Sequence, residues 1–171
     1  GKAMGNGYAI TAVIGRREIM ESAQTSFISS TFWTERIGPV AALKTLEVME
    51  RTKSWGVVTN IGSSVASRWS ELAQKHGISI SISGIKALPV FSFNSAKALE
   101  YKTLLTQEML ARGFLATTSF YASVAHTPEL VERYFESLNE VFITIKKCED
   151  GLDVMTLLKG PIAHSGFKRL N

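Results

Sequence analysis

The chain opens with Gly1-Lys2-Ala3-Met4-Gly5-Asn6-Gly7, in which one lysine stands at the edge of a glycine-rich segment. Glycines at positions 5 and 7 predict a tight turn, because glycine accepts backbone angles that other residues avoid. Thr11-Ala12-Val13-Ile14-Gly15 follows and predicts a short buried strand. A lysine that a rigid loop presents in this way suits an amine that forms a Schiff base.

A second informative segment is Phe27-Ile28-Ser29-Ser30-Thr31-Phe32-Trp33, which is rich in hydroxyl groups and precedes a predicted helix. Gly38-Pro39 places proline where the first turn of a helix tolerates it. Apolar residues then keep helical spacing to about Arg51. The pattern predicts hydroxyl groups next to the start of a helix that runs from Gly38 to Arg51.

The remaining sequence predicts an α-β-β-α-β-α order of elements. Ser63 or Ser64 is expected to cap a helix that Gly77 ends. Further elements follow from periodicity: a half-buried strand over 78–83, a second strand over 90–93, a helix over 95–112, a strand over 114–124 and a long helix from Thr127.

Composition restricts the class of protein. The chain has 171 residues, 45% of them hydrophobic, and no apolar run near the ~20 residues that span a bilayer, so no membrane partner is expected. The net charge of +4 is scattered, which argues against a nucleic-acid partner. Cys148 is the single cysteine and is interpreted as a surface thiol; with no disulfide and no export signal, a cytoplasmic location is expected. The three histidines lack metal-ligand spacing, so no metal is predicted.

Several of these segments together resemble a known family. The Lys2 turn with its following strand resembles the cofactor-lysine motif of class III aminotransferases, which are pyridoxal-phosphate enzymes of fold type I. Ser29-Ser30-Thr31-Phe32 with Gly38-Pro39-Val40-Ala41-Ala42 resembles the family's second motif, and 112–114 and 125–127 resemble its C-terminal part. The resemblance is to the subgroup of glutamate-1-semialdehyde 2,1-aminomutase-like proteins, and it covers nearly the whole chain.

The resemblance implies roles for particular residues. Lys2 would be the catalytic residue that forms the internal aldimine with pyridoxal 5'-phosphate. Thr31, with Ser30 beside it, would bind the cofactor phosphate of the neighbouring subunit in a homodimer with a shared active site. The segment between Thr31 and Pro39 is longer than the family's usual turn, and Trp33, Glu35 and Arg36 stand where a substrate could be recognised.

The resemblance also implies a fold and a domain organisation. The fold class is α/β with an α+β C-terminal part, as in the C-terminal segment of a fold type I transferase. Residues 1–62 would form the end of the large cofactor-binding domain with a bridging helix, and 63–171 a small αββαβα domain. Other cofactor-binding residues of the family precede the lysine, so an upstream portion of the same enzyme is an expected partner and the fragment alone is expected to be inactive.

Three functions stay open at this point. The first is amino-group transfer on a small-molecule amino substrate by an aminotransferase. The second is intramolecular transfer by a glutamate-1-semialdehyde 2,1-aminomutase, which would share the same lysine and phosphate motifs. The third is a non-catalytic fragment or dimerisation domain.

Overall fold

A computed structural model describes residues 2–164 and residue 166 of the chain. The helices and strands, in chain order, are α1 (Arg17–Met20), α2 (Ile37–Thr52), α3 (Ser54–His76), β1 (Ile80–Ile85), β2 (Leu88–Phe93), α4 (Ala98–Ala111) and α5 (Pro128–Glu149). Short 3-10 helices cover Glu21–Thr25 and Val154–Thr156. None of the helices in the described ranges is long and apolar enough to cross a bilayer.

The chain divides into two compact units, Gly1–Ser54 and Trp55–Asn171. They are called the N-terminal unit and the C-terminal unit below. The domain division at residues 62 and 63 that the sequence suggests stays a prediction.

The N-terminal unit contains one long helix, α2, and much irregular backbone. α2 agrees with the helix expected over 38–51 and ends at Lys53, whose φ of 50° is left-handed. The strand expected over 11–15 is wrong for this structure: the segment is irregular, and Val13 and Ile14 are 83% and 91% exposed. No strand lies beside it within residues 2–54, so its backbone groups lack the ladder that a strand requires.

α3 begins earlier than its sequence pattern suggests. It starts at Ser54 and continues through Ser63 and Ser64, which therefore do not cap it. Serine hydroxyls favour helix starts only where the preceding backbone leaves the helix, and here it does not. Val65, Trp69, Leu72 and Ala73 form the expected buried stripe, and the helix ends before Gly77, whose φ is 65°.

β1 and β2 form an antiparallel hairpin in which Ile80 pairs with Phe93 and Ile85 with Leu88. The two strands agree with the predicted ones but are each longer at the turn. In β2 buried side chains alternate with half-buried ones and with the exposed Ser92, whereas the side chains of β1 are mostly exposed. β2 therefore contributes most of the hairpin's contact with the core. The half-buried pattern expected for 78–83 is present in part: Ile78 is buried and Ile80 packs against the core, whereas Ile82 is exposed.

The strand expected over 114–124 is only partly present. Amide–carbonyl bonds join Phe91 to Thr118 at 2.9 Å, Phe120 to Pro89 at 3.0 Å and Ala122 to Ala87 at 3.1 Å. The segment therefore follows β2 in antiparallel sense over a few residues, with a single bridge at Ser119. Near the two ends of the segment, the amides of Phe114 and His126 donate to nearby residues instead, so a regular strand does not form.

The core of the C-terminal unit lies where α3, α4 and α5 cover β2. Trp69 donates a buried hydrogen bond from Nε1 to the hydroxyl of Tyr134 at 2.9 Å, so both polar atoms are satisfied. Cys148 is also buried in this core, which corrects its interpretation as a surface thiol, and burial raises the pKa of its thiol. The fully buried large side chains are Trp69, Tyr101, Phe91, Phe142, Leu104, Leu105, Met109, Leu138, Ile145, Val65, Val141 and Val154.

Candidate functional site

The Lys2 turn is closed by two backbone hydrogen bonds. The amide of Asn6 donates to the carbonyl of Lys2 at 2.8 Å, and the amide of Tyr8 donates to the carbonyl of Gly5 at 3.1 Å. Asn6 and Gly7 have φ values of 48° and 105°. Gly5 is buried and a Cβ there would collide with the carbonyl oxygen of Tyr8, so only glycine fits.

This geometry fixes the backbone from Lys2 to Tyr8, and the side chain of Lys2 is exposed. The carbonyl of Lys2 is used within the turn. A primary amine held in this way fits covalent attachment to an aldehyde. The structure thus places Lys2 in the setting that the glycine pattern predicts.

Ser30 and Thr31 lie in a second turn of the same unit, and both are exposed. The amide of Phe32 donates to Oγ of Ser30 at 3.3 Å, and the amide of Glu35 closes the turn on the carbonyl of Phe32 at 3.1 Å. Because Oγ of Ser30 accepts a hydrogen bond, its hydroxyl hydrogen remains able to donate. Two neighbouring hydroxyl donors therefore face solvent, as the binding of a phosphate group requires.

The start of α2 carries a feature that the sequence analysis missed. The carboxylate of Glu35 accepts hydrogen bonds from the amides of Ile37 and Gly38, at 2.5 Å and 3.1 Å. A carboxylate at a helix N-terminus satisfies unpaired amides and interacts favourably with the helix dipole. The signal for it was a glutamate two residues before the first residue of the helix, although glutamate is not among the usual capping residues.

Glu35 also limits which groups can bind an anion here. The amides at the start of α2 are already hydrogen-bonded to a negative group, which would repel a phosphate. The amide of Phe32 is likewise occupied by Ser30. The hydroxyl groups of Ser30 and Thr31, rather than these amides, are left as phosphate donors.

The structure does not join the predicted site residues to one another. Within residues 2–164, no hydrogen bond connects Lys2 with Ser30 or Thr31. Trp33 and Arg36, the other residues considered for substrate recognition, are exposed in the same unit. The chain therefore presents a lysine and a hydroxyl pair as two separate elements of a candidate site.

The side chains of two histidines make contacts within the C-terminal unit. Nδ1 of His126 accepts from the amide of Ser123 at 3.0 Å, and its ring packs on Phe120 with centroids 4.6 Å apart. His76 lies 2.9 Å from Oδ1 of Asn139. In the described ranges, no three or more His, Cys, Asp or Glu side chains are arranged to hold a metal ion.

Comparison with known proteins gives the chain a family. The model of the aminotransferase class-III family matches residues 1–148. A 3-aminobutyryl-CoA aminotransferase of Cloacimonas acidaminovorans is 33% identical over 153 residues, which are 86% of this chain and 37% of that protein. A glutamate-1-semialdehyde 2,1-aminomutase of Hyperthermus butylicus is 28% identical over 161 residues, 83% of this chain and 37% of that protein.

A solved structure gives the fold independently. The internal aldimine form, with pyridoxal phosphate, of the FumI protein of Sphingopyxis sp. MTA144 superposes with a TM-score of 0.76 at 21% identity. The match covers 92% of this chain and 39% of that one, and it confirms the predicted α/β fold class. The chain thus spans little more than a third of the length of the proteins it matches. The family model and the sequence identity to a curated relative lead to one conclusion: the chain belongs to the class-III aminotransferase family.

Proposed function

We propose that this chain supplies the cofactor lysine and a phosphate-binding turn of a pyridoxal-phosphate-dependent aminotransferase that acts on a small-molecule amine. The observation that carries the proposal is the closed turn that presents Lys2 within the family match. Pyridoxal phosphate, when bound, supplies an electron sink for the amino-bearing carbon of the substrate.

Lys2 has two roles in this proposal. Its Nζ would hold the cofactor covalently, and the closed turn fixes the backbone that carries this side chain. When not attached to the cofactor, the same amine would take a proton from the amino-bearing carbon of the substrate and return one later. A rigid backbone at positions 2 to 8 serves both roles, because proton transfer requires hydrogen-bond distance between the two atoms.

Thr31 and Ser30 bind the cofactor phosphate in the proposal, from the neighbouring subunit of a homodimer. Their exposure supports this assignment, since both hydroxyl groups are accessible to a ligand outside their own turn. Apolar side chains on the same unit, such as Phe27 and Phe32, are exposed as well, as an interface would require. In the proposal, an upstream portion of the same enzyme covers other exposed apolar side chains of this unit.

The remaining expectations are part of the same proposal. Residues 1–62 belong to the large domain and 63–171 to the small domain, the enzyme is cytoplasmic, and this chain alone is inactive. Neither nucleic acid nor a membrane is a partner. A non-catalytic dimerisation domain is the contrasting possibility, and attachment of the cofactor to Lys2, if measured, would argue against it.

The central experiment is borohydride reduction of the full-length gene product after incubation with pyridoxal phosphate, followed by peptide mapping. We expect one labelled lysine, Lys2, and loss of the label in Lys2→Ala. Lys75→Ala, which changes an exposed lysine of the C-terminal unit, is the control and should keep the label. Labelling spread over many lysines in the unaltered protein would contradict the proposal.

The dimer is tested by mixing subunits. Lys2→Ala and Thr31→Val subunits should each be defective alone, yet together restore about a quarter of the activity, because one site in half of the dimers receives both intact residues. Restoration no greater than the sum of the two separate variants would place both residues in one subunit's site. Thr34→Val, a change in the same turn, should leave activity unchanged.

Intramolecular transfer is the second candidate, because a relative carries the name of an aminomutase. Nitrogen labelling of the substrate amine separates the two reactions. Transfer to an added 2-oxo acid is the result expected for an aminotransferase. A label that stays within the substrate skeleton, with no dependence on the 2-oxo acid, would identify an aminomutase instead.

A further inference from the structure

The segment that follows the Lys2 turn lies directly against the first turn of α2. A Cβ added at Gly38 would be 2.5 Å from the carbonyl oxygen of Ala9 and 3.2 Å from Cβ of Ile10. Gly38 is buried, although Ile37 and Pro39 on either side of it are exposed. The close approach of the two segments therefore depends on the absence of a side chain at position 38.

Ile10 connects this contact to the Lys2 turn itself. A Cβ added at Gly5 would be 2.9 Å from Cγ2 of Ile10, and it would also meet the carbonyl oxygen of Tyr8. The side chain of Ile10 therefore packs on two buried glycines, Gly5 of the turn and Gly38 of α2. Added atoms at either glycine would displace the turn relative to the helix.

Gly38 is also bonded to the segment that carries Ser30. Its amide donates to the carboxylate of Glu35 at 3.1 Å, and the amide of Glu35 donates to the carbonyl of Phe32 at 3.1 Å. The amide of Phe32 donates to Oγ of Ser30. A short series of hydrogen bonds thus leads from the hydroxyl groups to the residue on which the Lys2 turn packs, and both elements of the candidate site are anchored at Gly38.

We propose that Gly38 is a positioning residue for Lys2, because its missing side chain sets where the Lys2 turn lies on α2. The inference rests on the proposed function, since the position of Lys2 has a chemical consequence only if its amine bonds to the cofactor. In that step the nitrogen adds to the aldehyde carbon of pyridoxal phosphate, and the aldehyde oxygen leaves as water with the two hydrogens of the neutral amine. A C=N bond then replaces the C=O bond.

A small displacement of the turn should have a large effect on this bond. A methyl group at Gly38 would overlap the carbonyl oxygen of Ala9 by about 1 Å relative to ordinary van der Waals contact. An amine on a fixed backbone reacts with a neighbouring group at a high effective concentration, and a misplacement of about 1 Å can cost ~100-fold. Gly38→Ala is therefore expected to move Lys2 without changing any group that touches the cofactor.

The experiment compares two forms of the cofactor on the full-length gene product after its bound cofactor has been removed. Pyridoxal phosphate can bond to Lys2, whereas pyridoxamine phosphate has an amine in place of the aldehyde and binds only non-covalently. The ratio of their dissociation constants, measured by equilibrium dialysis, reports the contribution of Lys2. In Gly38→Ala, pyridoxal phosphate should lose about 10- to 100-fold of its advantage, while pyridoxamine phosphate binds as before.

Gly56→Ala is the matched control. Gly56 also lies in the first turn of a helix, α3, but a Cβ there would have nothing within 4 Å, so the ratio should stay that of the unaltered protein. Lys2→Ala gives the ratio that is expected when no covalent bond forms.

Ile10→Ala tests the same contact without adding atoms. It removes the side chain that packs on Gly5 and Gly38, so the turn is held less firmly on α2. We expect a smaller loss of the advantage of pyridoxal phosphate, in the same direction as for Gly38→Ala. This variant decides the question if Gly38→Ala does not fold.

Two results would overturn the inference. A parallel weakening of both cofactor forms in Gly38→Ala would show that Gly38 supports the fold of the binding site and not the position of the lysine. An unchanged ratio in Gly38→Ala, or in Ile10→Ala if it alone folds, would show that the contact has no influence on Lys2.

Failure of the inference is distinct from failure of the proposed function. Borohydride labelling of Lys2 is measured on the same protein preparations. A labelled Lys2 with a ratio that Gly38→Ala leaves unchanged would contradict the positioning role alone. An unlabelled Lys2 in the unaltered protein would contradict the proposed function, together with the inference that rests on it.

Discussion

Leu43 on α2 and Leu138 on α5 have the same side chain and lie on long helices, yet Leu43 is 69% exposed and Leu138 is fully buried. The contrast extends to the units that contain them. The C-terminal unit buries its aromatic and aliphatic side chains in one cluster. Among the described residues, the N-terminal unit leaves most of its apolar side chains at the surface, and the large buried apolar cluster lies in the C-terminal unit.

The largest expected effect comes from truncating these two leucines. Leu138→Ala should lower the free energy of unfolding by about 2–5 kcal/mol, since it removes a buried side chain and leaves a cavity. Leu43→Ala in the same chain should change it by less than about 0.5 kcal/mol, as exposed sites do. Urea unfolding followed by circular dichroism measures both.

The same two leucine substitutions should also be measured in the full-length gene product. If other parts of the full-length gene product cover α2, Leu43→Ala should become costly there. A cost that stays negligible in the full-length protein would show that this face of α2 is an exposed surface, and would remove one support for the proposed interface.

Two glycines of α3 provide the next test. A Cβ at Gly62 would collide with the carbonyl oxygen of Lys86 in the β1–β2 turn, whereas Gly56 has nothing within 4 Å. Gly62→Ala should therefore destabilise the C-terminal unit by about 1–3 kcal/mol through overpacking. Gly56→Ala should stabilise it by up to about 1 kcal/mol, because alanine favours the helix.

Thermal unfolding of the two variants is the measurement. Opposite shifts of the midpoint would confirm that the close approach of α3 to the hairpin, and not helix propensity, decides the result. Shifts of equal sign would contradict the packing described for Gly62.

High pH should act on the C-terminal unit, because it contains the buried phenols. Burial, with a contribution from Glu149, raises the pKa of Tyr101 to about 12 from the ordinary 10.0. Burial also raises the pKa of Tyr134, and the hydrogen bond from Trp69 opposes part of this shift. The folded state thus retains these protons at a pH at which the unfolded chain loses them.

The sign of the effect follows from that difference. Stability from Tyr101 is fully present below about pH 10 and is lost as pH rises through about 12, with a change on the order of 2 kcal/mol. Urea unfolding at a series of pH values should show this decline. Tyr101→Phe should flatten it, and an equally steep decline in that variant would exclude Tyr101 as its source.

The smallest effects concern the two helix caps. Oγ1 of Thr127 accepts from the amide of Leu130 at 3.3 Å at the start of α5, so Thr127→Ala should cost about 1 kcal/mol of unfolding free energy. Glu35→Gln keeps the size of the α2 cap but removes its charge. We expect it to change unfolding by a few tenths of a kcal/mol, with a small loss of helix signal.

Comparing the unfolding of the two cap variants tests whether the two units unfold in one transition or separately. Circular dichroism should show one transition shifted by Thr127→Ala, with Thr144→Ala at an exposed-face hydrogen bond as control. A Glu35→Gln variant that shifts the same transition as strongly would show that the two units unfold together.

The sequence predicted the elements whose signals are local. α5 has Thr127 and Pro128 at its start and an apolar stripe with the helical period, and both features are in the structure. α2 and α4 were predicted for the same reason. Predictions were wrong where the local sequence pattern was ambiguous or where an element depends on residues distant in sequence. Ser63 and Ser64, for example, resemble capping residues but lie within a helix that continues through them.

In the candidate site, too, features that depend on neighbouring residues were predictable, and features that depend on distant residues were not. The turn at Lys2 was predictable because its glycines fix a local conformation, and the structure contains it. The strand over 11–15 was not, since a strand depends on neighbours that a local pattern does not reveal. The cap by Glu35 was missed because the carboxylate reaches forward to the amides of Ile37 and Gly38, which single-residue preferences do not predict.

The three tryptophans give each part of the chain its own optical signal. Trp33 is 69% exposed, Trp55 is 49% exposed and Trp69 is fully buried beside Tyr134. A quencher dissolved in water reaches the indoles of Trp33 and Trp55 but not that of Trp69. A protein in which Trp33 and Trp55 are both replaced by phenylalanine therefore emits only from the core, so its fluorescence reports the order of the C-terminal unit alone.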